Sequence, residues 1–208
     1  MLTRYHIEII SLALFDRFSS RALDVIITAN IRQDSLWGQF GHDEYHFDNN
    51  AFEKSYAYIE EQRRLTIDSL RSKDVSAAWR AFGRLLHSVQ DFYAHSNYID
   101  LWLACQPDGA LPTVSEVDPL DPDLIHTPAL RSGKIYFPLD ALYFIRPLRR
   151  LVLRLLPRNS HGWMNLDSPE QGFKFDYAMQ AAIKRTKFEF EKTIAGLSDE
   201  MCRMFFDK

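Results

Sequence analysis

One stretch of this 208-residue sequence places three potential metal ligands along a single predicted helix. His87, Asp91 and His95 follow one another at intervals of four residues. At about 100° per residue, a step of four returns to nearly the same helix face, so the three side chains form one stripe roughly 12 Å long. One ion cannot reach all three side chains, but two or more ions can share them. The spacing therefore predicts a helix that lines a site for several divalent metal ions.

Three further potential ligands precede this helix. His6 lies in an apolar segment with helical spacing, whereas Asp34 and His46 lie in a stretch rich in Gly, Asp, His and Asn. Histidine nitrogens and carboxylate oxygens are the usual ligands of zinc. A polar stripe that merely faces solvent is the alternative interpretation, and it suits an isolated histidine better than a set of aligned ligands.

Hydrophobic periodicity predicts an all-α fold, because helical spacing recurs along the chain and no strand-like alternation competes with it in the first half. Segments 32–50 and 106–135 are rich in Gly, Pro, Asp or Asn and predict long loops. The predicted helices cover residues 3–17, about 20–31 with Ser19 or Ser20 as cap, about 50–72, the ligand-bearing segment after Asp74, 138–156 with a kink or restart at Pro147, 169–194, and a short closing segment. We expect a compact single-domain helical bundle over residues 1–208, with the polymetal site between helices and loops.

Charge and composition narrow the function classes. The chain has 25 basic and 28 acidic residues, so its net charge implies no general attraction to nucleic acid. No apolar run approaches the roughly 20 residues that span a bilayer, and the first residues do not resemble a signal region. Two isolated cysteines, Cys105 and Cys202, form no disulfide framework. The sequence predicts a cytoplasmic protein without a transmembrane segment, and it lacks GxSxG, Walker and GxGxxG motifs.

The order and spacing of the ligands resemble the zinc-dependent phospholipase C and single-strand nuclease superfamily, in particular its branch related to fungal heterokaryon-incompatibility C proteins. The resemblance covers most of residues 3–100. It rests on His87-x3-Asp91-x3-His95 followed by Ser96-Asn97, and on His6, Asp34 and His46 in that order.

The resemblance implies two or three zinc ions. Asp91 is expected to bridge two of them, because a carboxylate has two oxygens to share between ions. The sequence does not decide whether Asp176 or Asp167 is the carboxylate that completes the last ion site. The implied ligand sets are Asp34, His46, His87 and Asp91 for one ion, His6 with Asp91 for a second, and His95 with His161 and that later carboxylate for a third.

The function that the resemblance implies is zinc-dependent phosphodiester hydrolysis by a metal-bound hydroxide, with Asp91 as the bridging ligand. Asp48, or else Asp43, would act as general base or orient the attacking water. A phospholipid is the expected substrate, as in a phospholipase C, and single-stranded nucleic acid is the alternative. A third hypothesis is a non-catalytic, zinc-stabilised interaction module.

The segment 146–154 combines arginines with leucines and valine. Arg149 and Arg150 adjoin apolar turns, which is typical of an ordinary amphipathic helix with solvated arginines. The same pattern also fits peripheral contact with an anionic bilayer surface. Both interpretations stay open from the sequence.

Overall fold

The computed structural model describes residues 1–35, 38, 41–107, 111–143 and 145–208, apart from the side chain of Arg146. Parts of the predicted loops 32–50 and 106–135 therefore lie outside the described residues. The predicted all-α fold is confirmed. Within the described ranges, β-pairing is limited to two isolated bridges, Ser96 with Ser132 and Lys134 with Ser160.

The described α-helices alternate with short 3-10 turns. No helix in these residues is both long enough and apolar enough to span a bilayer. The helices are α1 (Thr3–Leu14), α2 (Ser20–Ile31), α3 (Asp43–His46), α4 (Phe52–Arg71), α5 (Val75–His95), α6 (Tyr98–Ala104), α7 (Pro122–Ile125), α8 (Leu139–Tyr143), α9 (Arg149–Leu155), α10 (His161–Met164), α11 (Lys174–Ile194) and α12 (Asp199–Phe206). The 3-10 turns are Arg32–Asp34, Asp48–Asn50, Val114–Glu116, Arg146–Leu148 and Pro169–Gln171.

Helix starts follow the local sequence closely. The Ser19 side chain accepts a hydrogen bond from the Ala22 amide at the start of α2, and the Asp74 side chain caps α5 in the same way. The predicted restart at Pro147 within 138–156 is confirmed, because a 3-10 turn containing Pro147 separates α8 from α9. The predicted start at residue 169 is wrong. Pro169 opens a separate turn, and Gly172 leaves helical geometry at φ 95° before α11 begins.

Helix α5 is the centre of the fold, with α2, α4 and α11 packed around it. Nearly every residue of α5 from Ala78 to its end is buried. Gly83 permits the closest approach, since a Cβ there would lie 2.2 Å from the Ile26 carbonyl oxygen of α2. A helix surrounded on all sides must bury its polar residues too, and α5 carries the central ligands on its buried surface.

Candidate metal centre

Four side chains from three segments converge on the buried middle of α5. His6 comes from α1, Asp34 from the turn after α2, and both His87 and Asp91 from α5. These residues offer ligand atoms that all lie within 4.8 Å of one another. His6, His87 and Asp91 are fully buried, and the Asp34 side chain is 15% exposed. We call this set the first group.

The spacing within the first group suits a tetrahedral metal. Zinc binds His nitrogen and carboxylate oxygen at about 2.0–2.2 Å, so neighbouring ligand atoms around one ion lie roughly 3.4 Å apart. His6 Nε2 lies 3.3 Å from Asp91 Oδ1 and 3.9 Å from Asp34 Oδ2. His87 Nε2 lies 3.1 Å from Asp91 Oδ2 and 3.7 Å from Asp34 Oδ1. One ion can be accommodated with small side-chain shifts.

The hydrogen bonds of His6 leave its inner nitrogen available. His6 Nδ1 lies 2.6 Å from the amide oxygen of Gln90, which can only accept a hydrogen bond. That oxygen is identified by a second donor, Asn30 Nδ2, and the Gln90 amide nitrogen donates to Thr186. His6 Nδ1 therefore carries the proton, and Nε2 faces the group with its lone pair.

His46 stands beside the first group. Its Nδ1 lies 2.9 Å from Asp91 Oδ2 and 3.1 Å from His87 Nε2. Its Nε2 lies 3.3 Å from the Gly38 carbonyl oxygen, which can fix the proton on that nitrogen. His46 can therefore serve as a further ligand to the same ion.

A second group forms at the end of α5 from Asp48, His95 and His161, all buried. His161 Nδ1 lies 3.0 Å from Asp48 Oδ1, and His95 Nδ1 lies 2.9 Å from the His46 carbonyl oxygen. Both histidines can therefore donate from Nδ1 and turn Nε2 toward Asp167. The distances to Asp167 oxygens are 3.1 Å from His95 Nε2 and 3.8 Å from His161 Nε2. These bonds favour Asp167 as a ligand and Asp48 as the carboxylate that orients His161.

Local backbone geometry brings the loop residues of the second group inward. Phe47 and Asn49 both have positive φ, at 57° and 55°, so the chain reverses on either side of Asp48. Gly133 lies against the His161 backbone, where a Cβ would be 2.6 Å from the His161 Cα. The Gly133 amide donates to the His95 carbonyl oxygen, which ties the two histidine segments together.

The Met1 amino group lies between the two groups. Its nitrogen is 2.5 Å from Asp91 Oδ1, 3.1 Å from Asp167 Oδ1 and 3.2 Å from His95 Nε2. Burial opposes its charge, but Asp167 and Asp91 outweigh burial and raise the pKa of the amino group to about 11. A positive charge at this position offsets two buried carboxylates.

Burial and charge pull the pKa values of the site in opposite directions. Burial dominates at His87 and lowers its pKa to about 4. Burial acts the same way on His161, but Asp48 and Asp167 overcome it and raise the pKa of His161 well above its usual range. Burial would raise the pKa of Asp91, yet the Met1 amino group and His95 hold it well below its usual range. Asp91 is thus ionised and ready to bind a cation.

Several buried polar atoms of the first group lack hydrogen bonds. In the described part of the chain, none reaches His6 Nε2, His87 Nδ1 or Asp34 Oδ2. Leaving such atoms unpaired costs about 1–3 kcal/mol each. Two of the three atoms, His6 Nε2 and Asp34 Oδ2, face each other across the group, where an ion would satisfy both.

A cavity of about 190 Å³ opens onto the second group. Asp48, His95, His161 and Asp167 line its polar side, and apolar residues of the segment 135–141 line the other. His6 and His87 are absent from this lining. Asp34 of the first group and His46 also line the cavity. An outside molecule can therefore approach the second group and the Asp34 edge of the first.

The structure brings together most of the residues predicted from the sequence, with two differences in grouping. His6 joins Asp34, His87 and Asp91 in one group, whereas the resemblance assigned it to a separate ion. Asp176 lies exposed in the first turn of α11 and belongs to neither group, so Asp167 is the later carboxylate at the site. Asp43 accepts a hydrogen bond from Asn49 on the surface. Sequence reasoning missed Gln90 and Met1, and only the position of Gln90 on the ligand-bearing helix could have signalled a role.

Comparison with known proteins finds similarity to a different family from the one suggested by the ligand motif. Residues 9–107 match the VWA7 N-terminal domain. The chain is 34% identical to rat von Willebrand factor A domain-containing protein 7 over 88 residues, which are 40% of this chain and 10% of the relative. It is 34% identical to the human protein of that name over 93 residues, which are 43% of this chain and 10% of the relative. The matched part therefore spans about a tenth of the length of these relatives, and no solved structure matches significantly.

The resemblance to zinc-dependent phospholipase C and single-strand nucleases is wrong, because the similarity points to VWA7 N-terminal domains instead. The predicted phosphodiester hydrolase function, with phospholipid or single-stranded nucleic acid as substrate, depended on that resemblance and is withdrawn with it. The match includes Asp34, His46, Asp48, His87, Asp91 and His95, and leaves out His6, His161 and Asp167.

Proposed function

We propose that this chain is a non-catalytic, zinc-stabilised helical module in which two ions link the N-terminal helix, the 32–50 segment and the later 161–167 segment to α5. The VWA7 N-terminal similarity gives no support for hydrolysis and is compatible with a module of this kind. The proposal concerns what holds these segments together, and it assigns the zinc ions a structural role.

The observation that carries the proposal is the composition of the first group. Four protein donors lie within 4.8 Å of one another, with His46 Nδ1 within reach as a fifth, and together they can fill the positions around one zinc ion. Structural zinc sites are closed in this way, whereas catalytic zinc sites keep one position open. Histidine and carboxylate donors suit zinc better than calcium or magnesium, which prefer oxygen ligands throughout.

The second group would hold its ion less firmly. Its protein donors include His95, His161 and Asp167, and the cavity beside them admits solvent. An ion there can exchange through the cavity. We therefore expect two affinities, with the tighter one at the first group.

Zinc stoichiometry tests this function. The protein is stripped with a chelator, incubated with zinc, desalted and measured by elemental mass spectrometry. Wild type should retain two ions per chain. Asp91→Asn should retain at most one, because Asp91 oxygens lie within 3.3 Å of His6 and His87 nitrogens and 3.9 Å from His95 Nε2.

Asp176→Asn is the matched control, since it makes the same chemical change at an exposed carboxylate outside both groups. It should retain two ions. Circular dichroism establishes that each variant is helical before zinc is counted. A folded wild type that retains no zinc would refute the proposal, as would an Asp91→Asn protein with the same zinc content as wild type.

A further inference from the structure

The segment 141–166 differs in charge from the rest of the molecule. It contains five arginines and no Asp or Glu, whereas the rest of the chain has 20 basic and 28 acidic residues. Arg150, Arg154 and Arg158 are exposed. Arg149 is partly buried, with its guanidinium over the Tyr143 ring and 3.5 Å from Glu170. An acidic protein thus presents one concentrated basic surface.

The same segment exposes large apolar side chains. Leu151 is 59% exposed and Leu155 is 63% exposed, and Ile145 and Leu148 before them are 47% and 37% exposed. Single exposed leucines are ordinary on a protein surface, but a contiguous set rimmed by charge marks an interaction surface.

Helix α9 presents three distinct faces. Val152 is buried against Tyr143 and Leu156, which fixes the inner face. At about 100° per residue, Leu151 and Leu155 lie about 40° apart on one outer strip, and Arg150 and Arg154 form the neighbouring strip. Leucines beside arginines on the outward side are typical of helices that lie in the plane of a membrane surface.

The outer surface is fixed to the body of the protein. Trp163 of α10 donates from its indole nitrogen to the carbonyl oxygens of Leu153 and Leu156, at 2.9 and 3.1 Å. Arg158 stacks over the Trp163 ring at 3.8 Å. These contacts hold the C-terminal end of α9 against α10, so the exposed leucines and arginines form one preformed surface.

We propose that the outer surface of α9, formed by Arg150, Leu151, Arg154 and Leu155, docks on an anionic phospholipid bilayer. Arginines attract the lipid phosphates and acidic headgroups, and the leucines enter the boundary between headgroups and acyl chains. A lipid surface suits this helix better than an acidic protein does. The leucines project outward and can enter a bilayer directly, whereas a protein partner would need a pocket to receive them.

The test is co-sedimentation of the zinc-treated protein with phosphatidylcholine vesicles that do or do not contain phosphatidylserine. Wild type should bind the vesicles containing phosphatidylserine, more weakly as ionic strength rises. The double variant Arg150→Glu/Arg154→Glu should bind at least tenfold more weakly, because two attractive charges become repulsive. Leu151→Gln should also weaken binding, without changing the net charge.

Two controls match these changes elsewhere on the surface. Arg64→Glu/Arg71→Glu reverses two exposed arginines on α4, and Leu12→Gln replaces an exposed leucine on α1. Both controls should bind like wild type. Circular dichroism confirms the fold of each variant.

Three results would overturn the proposal. The first is no binding of folded wild type to vesicles with phosphatidylserine. The second is equal loss of binding in the α4 and α9 variants, which would show a nonspecific charge effect. The third is self-association in analytical ultracentrifugation that Leu151→Gln abolishes while vesicle binding stays unchanged, which would assign this surface to a second copy of the chain.

Discussion

Hydrogen bonds decide which histidine nitrogen can bind a metal at this centre. Gln90 accepts from His6 Nδ1, the His46 carbonyl accepts from His95 Nδ1, and the Asp48 carboxylate lies beside His161 Nδ1. In each case the opposite nitrogen faces the neighbouring carboxylates. These hydrogen-bond acceptors thus leave unprotonated, on each ring, the nitrogen that a zinc ion requires.

Gln90→Leu tests this selection. The change removes the acceptor for His6 Nδ1 and leaves the shape of the α5 surface roughly unchanged. We expect zinc affinity at the first group to fall about 10–100-fold, the usual effect of losing an outer-shell partner. Competition with a chromophoric chelator measures the affinity. Ser88→Ala, another buried change on α5, is the control, and equal affinities of Gln90→Leu and wild type would contradict the tautomer assignment.

Zinc binding should release protons. Burial lowers the pKa of His46, but the hydrogen bond to Asp91 and the neighbouring carboxylate charges together raise it above its usual value. Asp48 and Asp167 likewise raise the pKa of His161. Both histidines therefore hold a proton above the usual range for His, and zinc must displace it. Calorimetric titration in buffers of different ionisation enthalpy should show proton release near pH 7. An enthalpy that is independent of the buffer would contradict this expectation.

The pH dependence of the metal-free protein has a definite sign. His46 and His161 have folded-state pKa values above the unfolded value of about 6.5, so their stabilising contribution is complete below that pH. It is lost as the pH rises through the folded-state values. His87 is neutral in the folded state over this range, because its pKa is lowered to about 4, and it stops affecting the trend once the pH is well above its unfolded value of about 6.5. Urea unfolding of the chelated protein should show stability decreasing above about pH 6.5, and increasing stability would contradict the assignment.

Two different sets of side-chain contacts link the helices of the bundle to one another around α5. At the metal centre, α1, the 32–50 segment and α10 meet α5 through ligand side chains. Between α4 and α11, Glu189 of α11 is fully buried and pairs with Arg63 of α4 and Arg185 of α11. Under the proposed function the first linkage depends on ions, whereas the second consists of side-chain ion pairs alone.

Chelation should weaken the contacts through the metal ligands and leave the Glu189 ion pairs intact. Metal removal leaves the carboxylates of the first and second groups without their bridging charge, so the melting temperature should fall by roughly 5–10 °C. Differential scanning calorimetry measures the change. Asp91→Asn, which should retain at most one ion, should show a smaller shift on chelation. An unchanged wild-type melting temperature after verified metal removal would show that the segments hold together without ions.

Glu189→Leu tests the linkage that does not depend on ions. The change leaves Arg63 and Arg185 as buried charges without their common partner and should cost about 3–5 kcal/mol of unfolding free energy, with or without zinc. Urea denaturation measures the loss. Glu60→Gln removes an exposed partner of Arg63 and should cost less than about 1 kcal/mol. Similar losses in the two variants would contradict a special role for the buried pair.

Over the whole molecule, local sequence patterns predicted the helices and part of the candidate metal centre. Periodicity and the caps at Ser19 and Asp74 predicted α2 and α5, because these signals act within one or two turns. The His87, Asp91 and His95 stripe was predicted for the same reason. The choice of Asp167 over Asp176 could not be predicted, because it depends on chain segments more than 70 residues apart meeting at the end of α5.

The similarity to VWA7 N-terminal domains shows the limit of motif reasoning in the same molecule. Ligand order alone suggested a phosphodiesterase, whereas the similarity over residues 9–107 is to VWA7 N-terminal domains. A buried set of His and Asp residues defines what can be bound. It does not define which reaction, if any, follows.

The most direct test of the account is the position of zinc in crystals of the zinc-treated protein, found by anomalous diffraction measured above and below the zinc absorption edge. Two strong peaks that vanish below the edge are expected. One should lie among His6, Asp34, His87 and Asp91, and the other beside His95, His161 and Asp167. Zinc found only at surface residues, or no anomalous peak at the centre of the bundle, would contradict it.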